Sequence, residues 1–238
     1  MAQKIILAKN LDTAKLSYDT VKKNALGGNV VYLKYDNIPK INVQTCELDA
    51  PFGLSTYTDE KTGAVKYSLD ISFRGINEDP KIMQFHNKMA EIDEALLSEG
   101  VARSKEWFGK KLTKEVVENF YRPLVKPAKD PEKYAPTMKI KIQTNKAGGI
   151  AVDCYDDNKQ RMDILEAVTP GCKVQGILEC NSVWFVGKNM FGISWRLVQI
   201  RVKPSERIAG FSFVDEDGED GEGAADEEEY EEEYEEDA

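Results

Sequence analysis

Hydrophobic periodicity changes twice along this chain of 238 residues. In residues 64–73, apolar side chains alternate with polar ones, which is the pattern of a strand with one buried face and one wet face. In residues 80–98, apolar side chains recur every three or four positions, which predicts an amphipathic helix capped by Asp79. Strand-like segments return after residue 136. This order predicts a mainly β fold of the α+β class, a small antiparallel barrel with inserted helices.

Runs of β-branched and aromatic residues bounded by turn residues predict the strands. They cover residues 30–35, 41–48, 64–73, 138–143, 150–155, 172–180, 183–187 and 192–203. Segments 138–143 and 150–155 flank a glycine-containing turn and are expected to pair as a hairpin. Gly100 is expected to end the helix that begins at Pro80, and a second helix is expected over residues 112–121. The proline-containing residues 122–136 are expected to form an irregular connection.

Acidic charge is concentrated at the end of the chain. Residues 215–238 hold sixteen of the 42 acidic residues and no Lys or Arg, so the other residues carry 32 bases against 26 acids, and a net charge of +6 replaces the −10 of the whole chain. A run of like charge this dense cannot bury apolar surface, which predicts a disordered tail over residues 211–238 after one domain over residues 1–210.

Three interpretations of the tail are open. The tail could compete with nucleic acid for a basic groove, hold basic partners such as histones, or only raise solubility. Tyr230 and Tyr234, separated by three glutamates, favour a peptide that partners recognise.

The sequence argues against several classes of protein. No apolar run approaches the ~20 residues that span a bilayer, and the first ten residues lack the long apolar region of a signal peptide, so we expect no membrane association and no export. The four cysteines include no Cys-x-x-Cys, which favours reduced, mostly buried thiols in an intracellular compartment. Neither zinc nor a disulfide is expected.

Catalytic motifs are weak throughout. The single histidine, His86, lies in the helical stretch, where a structural role is favoured. The Gly-Lys-Lys of residues 109–111 fails as a phosphate loop, because Ser104 stands where the first glycine belongs and no Ser or Thr follows Lys110. The carboxylates of Asp156, Asp157 and Asp163 are expected to be solvated rather than to bind a metal. We therefore expect no enzyme activity, no metal and no cofactor.

Lysine and arginine recur beside aromatic residues on the predicted strands. In residues 195–203, alternation places Trp195, Leu197, Gln199, Arg201 and Lys203 on one face, expected to bind, and Arg196, Val198, Ile200 and Val202 on the other, expected to be largely core. If Trp195 and Arg201 share a groove, Arg196 points away unless a bulge near Gly192 changes the register.

The same alternation in residues 138–143 buries Met138, Ile140 and Ile142 and turns Lys139 and Lys141 outward. Lysine and arginine can neutralise phosphates, and flat rings can stack on unpaired bases without reading sequence. The predicted phosphate contacts are Lys139, Lys141, Arg196, Arg201 and Lys203, followed by Arg74 and Lys110. The predicted stacking residues are Trp184, Phe185 and Trp195, although aromatic residues on strands more often belong to a core.

Three segments carry a resemblance to a known family. Residues 107–111 (WFGKK), 120–126 (FYRPLVK) and 179–202 (ECNSVWFVGKNMFGISWRLVQIRV) resemble the single-stranded DNA-binding proteins of large DNA viruses that infect algae and protists. The resemblance spans roughly residues 1–205, and the tail is similar in composition and placement to the acidic tails of bacterial and phage single-stranded DNA-binding proteins.

The resemblance implies an OB-fold, a Greek-key barrel whose open face holds single strands, here with a helical insertion at about residues 78–136 and a disordered acidic tail. It also implies sequence-independent binding of single-stranded DNA in viral replication, recombination or repair, inside the host nucleus or a cytoplasmic replication site. The tail ends in Glu-Asp-Ala without a terminal aromatic residue, which leaves open whether it docks on replication proteins. Oligomeric state is not predicted.

Two alternatives stay open at this stage. A histone-chaperone-like or assembly protein would use the acidic tail to hold basic partners and the body only as a scaffold. An RNA-binding module would prefer RNA to DNA of the same sequence through contacts with the 2′-hydroxyl.

Overall fold

The computed structural model describes residues 4–24, 27–60, 62–145, 147–187 and 189–205. The strands in these residues are β1 (Ile5–Leu7), β2 (Leu16–Lys23), β3 (Asn29–Tyr35), β4 (Ile38–Pro39), β5 (Ile41–Gln44), β6 (Leu48–Ala50), β7 (Leu54–Thr58), β8 (Val65–Ser72), β9 (Val125–Lys126), β10 (Thr137–Ile142), β11 (Asp153–Tyr155), β12 (Arg161–Met162), β13 (Cys172–Cys180), β14 (Ser182–Val186), β15 (Met190–Ile193) and β16 (Arg196–Lys203). The α-helices are α1 (Pro80–Ala102), α2 (Ser104–Phe108), α3 (Lys114–Phe120) and α4 (Ile164–Ala167). Short 3-10 turns cover Ala8–Asn10 and Thr13–Lys15.

Five of the strands close into a barrel. Around the ring they follow the order β6, β8, β10, β16 and β13, and β13 pairs back with β6. Only β10 and β16 run parallel; the other four neighbours in the ring are antiparallel. Numbered along the chain, the barrel strands are therefore arranged first, second, third, fifth and fourth. This is an OB-like Greek-key barrel, and the mainly β prediction is confirmed.

A second, antiparallel sheet adjoins the barrel. It contains β15, β14, β3 and β2 in that order, with β4 on β3. Only Asn181 separates β13 from β14, and its carbonyl accepts a hydrogen bond from the Leu33 amide at 3.0 Å. The inward side of this sheet carries buried residues such as Val31, Leu33 and Val183. The hairpin β14–β15 is thus inserted between the last two barrel strands.

The helical insertion is confirmed between β8 and β10, with α1 as its main element. The Asp79 carboxylate accepts a hydrogen bond from the Lys81 amide at 2.7 Å, which satisfies a free donor at the start of α1. Gly100 does not end the helix as predicted. A Cβ atom there would lie 3.1 Å from both Phe191 and Val117, so the glycine permits close packing instead.

The predicted hairpin of residues 138–143 and 150–155 forms only at its tip. The amide of Asn145 bonds to the carbonyl of Gly149, Thr144 and Ile150 form a bridge, and the amide of Ala151 bonds to the carbonyl of Gln143 at 2.8 Å. Beyond these contacts, β10 and β11 do not pair with each other. Instead β10 pairs with β8 on one edge and with Arg196 and Leu197 of β16 on the other, and β11 pairs with Gln199–Arg201 further along the same edge of β16. The opposite edge of β16 pairs with β13. Barrel closure thus prevails over local pairing, because β16 offers a pairing edge to both β10 and β11.

Other predictions concern buried residues and the chain's end. Cys154, Cys172 and Cys180 are buried as expected, whereas Cys46 is half-buried. Burial raises the pKa of Cys46 and Cys154 to about 11. None of the helices within the described residues is long and apolar enough to cross a membrane. The acidic tail, with Tyr230 and Tyr234, lies outside the described residues.

Candidate nucleic-acid interface

A row of polar side chains crosses the outside of the barrel. Register places Lys141 of β10 beside Ser68 of β8 on one side and Arg196 of β16 on the other. The row continues from Arg196 to Glu179 of β13, and from Ser68 to Ser55 of β7. We call the outward side of β7, β8, β10, β13 and β16 around this row the cation face. In OB-folds, the surface of the second and third barrel strands, here β8 and β10, is where single strands bind.

The prediction for β10 is confirmed. Met138, Ile140 and Ile142 are buried and Lys139 and Lys141 are exposed. Lys139 is not a free cation, because its Nζ lies 2.7 Å from the Asp70 carboxylate on β8. Exposed pairs of this kind contribute only about 0–1 kcal/mol, so a phosphate can displace Asp70 at little cost.

Lys141 differs from its neighbours on the cation face. Within the described residues, its ammonium makes no ion pair, whereas Lys139, Arg196, Arg201 and Lys203 each lie near a carboxylate. The surrounding barrel wall partly desolvates the ammonium and lowers the pKa of Lys141. Lys141 is therefore the cation of this face that is best placed to gain from a phosphate.

Arg196 serves a different purpose from the predicted phosphate contact. Its guanidinium pairs with Glu179, whose side chain is only 4% exposed, and Lys40 Nζ lies 3.2 Å from the same carboxylate. Partial burial lowers the pKa of Arg196. Because an unpaired buried carboxylate is costly, Arg196 is held by Glu179 and is not free to exchange it for a phosphate. Its main role is to neutralise Glu179.

Because of a bulge, the prediction for the faces of β16 is wrong for residues 195–197 and correct from Gln199 onward. Ile177 of β13 lies opposite Gln199 and Leu178 lies opposite Leu197, so Val198 is an extra residue in β16. Trp195 and Leu197 before the bulge point inward, and so do two residues after it, Ile200 and Val202. The bulge lies at Val198, not near Gly192 as the shared groove would require. It allows Arg196, Arg201 and Lys203 to share the outer side of β16.

Trp195 is consequently not a stacking residue. Its side chain is 1% exposed and is among the largest fully buried side chains of the core. Its carbonyl accepts a hydrogen bond from the Lys141 amide at 2.9 Å, so it lies directly beneath the cation face. A base cannot reach the indole ring without opening the barrel.

Phe185 is also packed inward rather than presented for stacking. Its ring centroid lies 5.6 Å from that of Trp107 and 6.1 Å from that of Phe191. Trp184, the preceding residue on β14, faces the other way because side chains alternate along a strand. It is half-buried, and its ring lies against Gly192, where a Cβ would be 2.9 Å away. Of the three predicted aromatics, Trp195 is fully buried and the other two are half-buried, and only Trp184 points away from the aromatic cluster of Trp107 and Phe191.

Arg201 and Lys203 lie further along β16 and are both paired with acidic residues. Arg201 contacts Gln175 and Asp157, the latter at 3.6 Å, and Lys203 Nζ lies 2.6 Å from Glu47. The hydrogen bond with Glu47 is the main reason that the pKa of Lys203 is raised. Arg201 stands five residues after Arg196, about 16 Å at the usual rise of a strand. These two cations can extend the cation face but do not belong to its central row.

Arg74 and Lys110 lie away from the row. Arg74 follows β8 and stands six residues beyond Ser68, about 20 Å along the strand direction. It lies between two surface grooves, one of them lined by Glu47, Asp49 and Glu78. Lys110 is exposed in the loop between α2 and α3, within the helical insertion.

Tyr57 was missed from the sequence. It is 60% exposed on β7, opposite Lys66, whose Nζ lies 5.9 Å from the ring centroid. Register places it two residues from Ser55, the end of the polar row. Residues 54–58 form a short polar segment after Pro51 and Gly53, so the sequence does not distinguish them from a loop. The signal that could have identified Tyr57 is the strand β8 that follows, with which residues 54–58 pair.

The motif at residues 120–126 has a structural role. The Tyr121 hydroxyl donates a hydrogen bond of 2.5 Å to the Asp93 carboxylate of α1, and the Leu124 amide donates to the same carboxylate at 3.1 Å. Burial raises the pKa of Asp93 to about 6 despite these hydrogen bonds. These contacts fix the segment that crosses from α3 to the barrel.

The remaining candidate residues have local roles. His86 lies edge-on against Phe73, with ring centroids 5.1 Å apart. Asp163 caps α4 by accepting from the Leu165 amide, and Asp156 accepts from the Gln160 amide within the β11–β12 turn. Across the described ranges, no group of three or more His, Cys, Asp or Glu residues is placed to hold a metal ion.

Comparison with solved structures gives weak similarities to phage proteins. The single-stranded DNA-binding protein from bacteriophage Enc34 in complex with ssDNA is 13% identical, with a TM-score of 0.42 over 80% of this chain and 98% of that chain. For gp2.5, a single-stranded DNA-binding protein encoded by bacteriophage T7, the identity is 13% and the TM-score 0.48, over 75% of this chain and 98% of that chain. A comparison of the sequence with curated proteins found no match.

A family model gives the stronger match. It covers residues 76–215, which begin just before α1 and include every barrel strand from β10 onward. The model is described as a family of unknown function. The resemblance to proteins of algal and protist viruses stays a prediction. With more than half of its length matched, the chain belongs to the family of unknown function DUF5871.

Proposed function

We propose that this protein binds single-stranded DNA on the cation face without strong sequence preference. The observation that carries the proposal is the position of Lys141, a partly desolvated and unpaired lysine among the described residues, on the strand surface that OB-folds use for single strands. Ser55 and Ser68 beside it can donate hydrogen bonds to phosphate oxygens, and Tyr57 offers a ring at the edge of the same face.

In this mechanism Lys141 takes a phosphate first, because no carboxylate has to leave. Lys139 takes a second phosphate after Asp70 is displaced, and Tyr57 stacks on one base. Stacking on an aromatic ring contributes about 1–3 kcal/mol per base. Arg196 supports the surface by neutralising Glu179. Trp184 on the second sheet can stack on a base that extends beyond the barrel.

Replacing Lys141 with alanine is expected to weaken binding to oligo-dT and to flatten its salt dependence. Loss of one phosphate contact lowers the slope of log K against log salt by about 0.7 for a single strand. Fluorescence anisotropy across a salt series measures both quantities. Lys105→Ala, an exposed lysine on α2, is the matched control and is expected to leave the slope unchanged. An unchanged slope in the Lys141 variant would remove this residue from the interface.

We propose that the acidic tail competes with DNA through its charge. Deleting residues 215–238 changes the formal net charge from −10 to +6, because it removes sixteen acids and no bases. The truncated protein is therefore expected to bind oligo-dT more tightly at low salt, with a difference that shrinks as salt screens the charges. Anisotropy with both proteins over the same salt series checks this. Equal affinities at low salt would show that the tail does not compete with DNA. Partner binding or solubility would then be its role.

A second candidate function rests on the acidic run itself. Sixteen acids within residues 215–238 are suited to hold basic proteins such as histones, with the body as a scaffold. In that case the 1–214 protein ignores single strands and the full chain binds histones. Matched DNA and RNA oligonucleotides separate the proposal from RNA recognition, which requires contact with the 2′-hydroxyl.

We infer that this protein acts without catalysis and without a cofactor, in the replication, recombination or repair of viral DNA. The host nucleus or a cytoplasmic replication site is its place of action, and replication proteins are candidate partners of Tyr230 and Tyr234 in the tail.

A further inference from the structure

A pocket of about 400 Å³ opens on the outer wall of the barrel, beyond the central row of the cation face. Its lining comes from β5, β13, β16 and β11 and from the turn after β11. We call it the glutamine pocket, after Gln44, Gln175 and Gln199, and its lining also includes Tyr155, Ile177 and Arg201. This volume is within the range of small-molecule sites in proteins.

Two glutamines face each other across an apolar floor. Register places Ile177 of β13 between Gln44 of β5 and Gln199 of β16. The two glutamine backbones are therefore two strand spacings apart, about 10 Å. That distance leaves room for one heterocycle lying on Ile177, with a hydrogen bond to an amide on either side.

The amides of Gln44 and Gln199 are uncommitted. Within the described residues, neither side chain makes a hydrogen bond, whereas the Gln175 amide donates to the Thr45 carbonyl at 2.9 Å and accepts from Arg201. A carboxamide carries both a donor and an acceptor, which is the combination that the Watson–Crick edge of a base requires. The pocket thus presents unused recognition groups, not groups that hold the fold together.

The rest of the lining suits the other parts of a nucleotide. Tyr155 pairs in register with Arg201 and is half-buried, so its ring edges the pocket next to a cation. Lys159 lies in the turn after β11 and lines the same opening. Its φ of 65° is a left-handed backbone conformation that is uncommon for a residue other than glycine. Lys159 and Arg201 can each contact a phosphate, and Tyr155 can contact a sugar or base.

We propose that the glutamine pocket holds one unpaired nucleobase of a bound single strand and contacts its Watson–Crick edge through Gln44 and Gln199. This inference rests on the proposed function and deepens it. A duplex cannot offer that edge, because its partner strand already uses it. The pocket is therefore the part of the surface that selects single strands over duplex DNA, whereas the phosphate contacts of the cation face do not distinguish them.

The test compares oligo-dT with an oligo-dT in which the thymines carry an N3-methyl group, which blocks the Watson–Crick edge and leaves the phosphates unchanged. Fluorescence anisotropy is measured with the full-length protein, with Gln44→Ala/Gln199→Ala, and with Gln84→Ala, an exposed glutamine of α1, as control. Methylation is expected to weaken binding by the wild-type protein and the control about fivefold, the usual effect of one hydrogen bond. The double variant is expected to bind both oligonucleotides equally, and to lose part of its preference over duplex DNA.

Other results contradict the inference in distinguishable ways. Equal loss on methylation in wild type and double variant shows that another site contacts the edge, and no loss in wild type shows that no site does. Either result overturns the proposed role of the glutamine pocket but does not contradict the proposed function. Absence of binding to any oligonucleotide overturns both. Melting curves of the double variant should match wild type, because the two amides make no hydrogen bonds within the described residues.

Discussion

Replacing Trp195 with alanine is expected to lower the free energy of unfolding by about 3–5 kcal/mol, the usual cost of emptying a buried tryptophan site. The side chain is 1% exposed and belongs to the same buried core as Leu197, Leu178 and Ile140. Closed barrels relax poorly around a cavity, because every strand is paired on both sides. Chemical denaturation of wild type and variant, without DNA, measures the effect.

Two variants control this prediction. Trp195→Phe keeps most of the ring, and the indole Nε1 has no hydrogen-bond partner in the described part of the chain, so this variant should lose far less stability. Trp184→Ala removes a half-buried ring from the second sheet and should also cost less. A Trp195→Ala protein that is as stable as wild type but binds single strands weakly would return Trp195 to the interface and contradict its place in the core.

Regular alternation made β10 predictable. Its three apolar residues and two lysines follow a strict period of two, and no neighbour interrupts the pleat, so both faces were assigned correctly. On β16 the same reasoning assigned residues 199–203 to the correct faces but inverted residues 195–197, because the extra residue at Val198 changes the face between the two segments. A bulge of this type depends on how β16 pairs with β13, and this pairing cannot be predicted from the sequence of β16 alone.

Charge pairing was similarly hidden from the sequence. Lys139 and Asp70 are 69 residues apart, and Arg201 meets Asp157 only because β11 lies beside β16. The sequence showed cations on strands but not the carboxylates opposite them. The barrel with its helical insertion could be predicted from the order of strand-like and helix-like hydrophobic periodicity along the chain. Which cations are paired with carboxylates could not be predicted, because it depends on how the barrel strands are aligned with one another. Tyr57 and the glutamine pocket were missed for the same reason.

Replacing Arg196 with alanine is expected to destabilise the protein by about 3 kcal/mol, the lower end of the cost of breaking a buried ion pair. The loss leaves the Glu179 carboxylate, 4% exposed, with Lys40 at 3.2 Å as its remaining cationic partner. Because Lys40 stays, the penalty is expected at the lower end of that range. Thermal and chemical unfolding of wild type and variant at neutral pH measure it.

The double variant Glu179→Gln/Arg196→Ala separates a stranded charge from lost packing. It is expected to recover part of the stability, since a neutral amide costs less to bury than an unpaired carboxylate. Lys139→Ala, which breaks an exposed pair on the same face, should change stability by less than about 1 kcal/mol. If Arg196→Ala proved no worse than Lys139→Ala, Arg196 would be an exchangeable cation after all. It would then join Lys141 as a phosphate contact, and Glu179 would have to be neutralised by Lys40 alone.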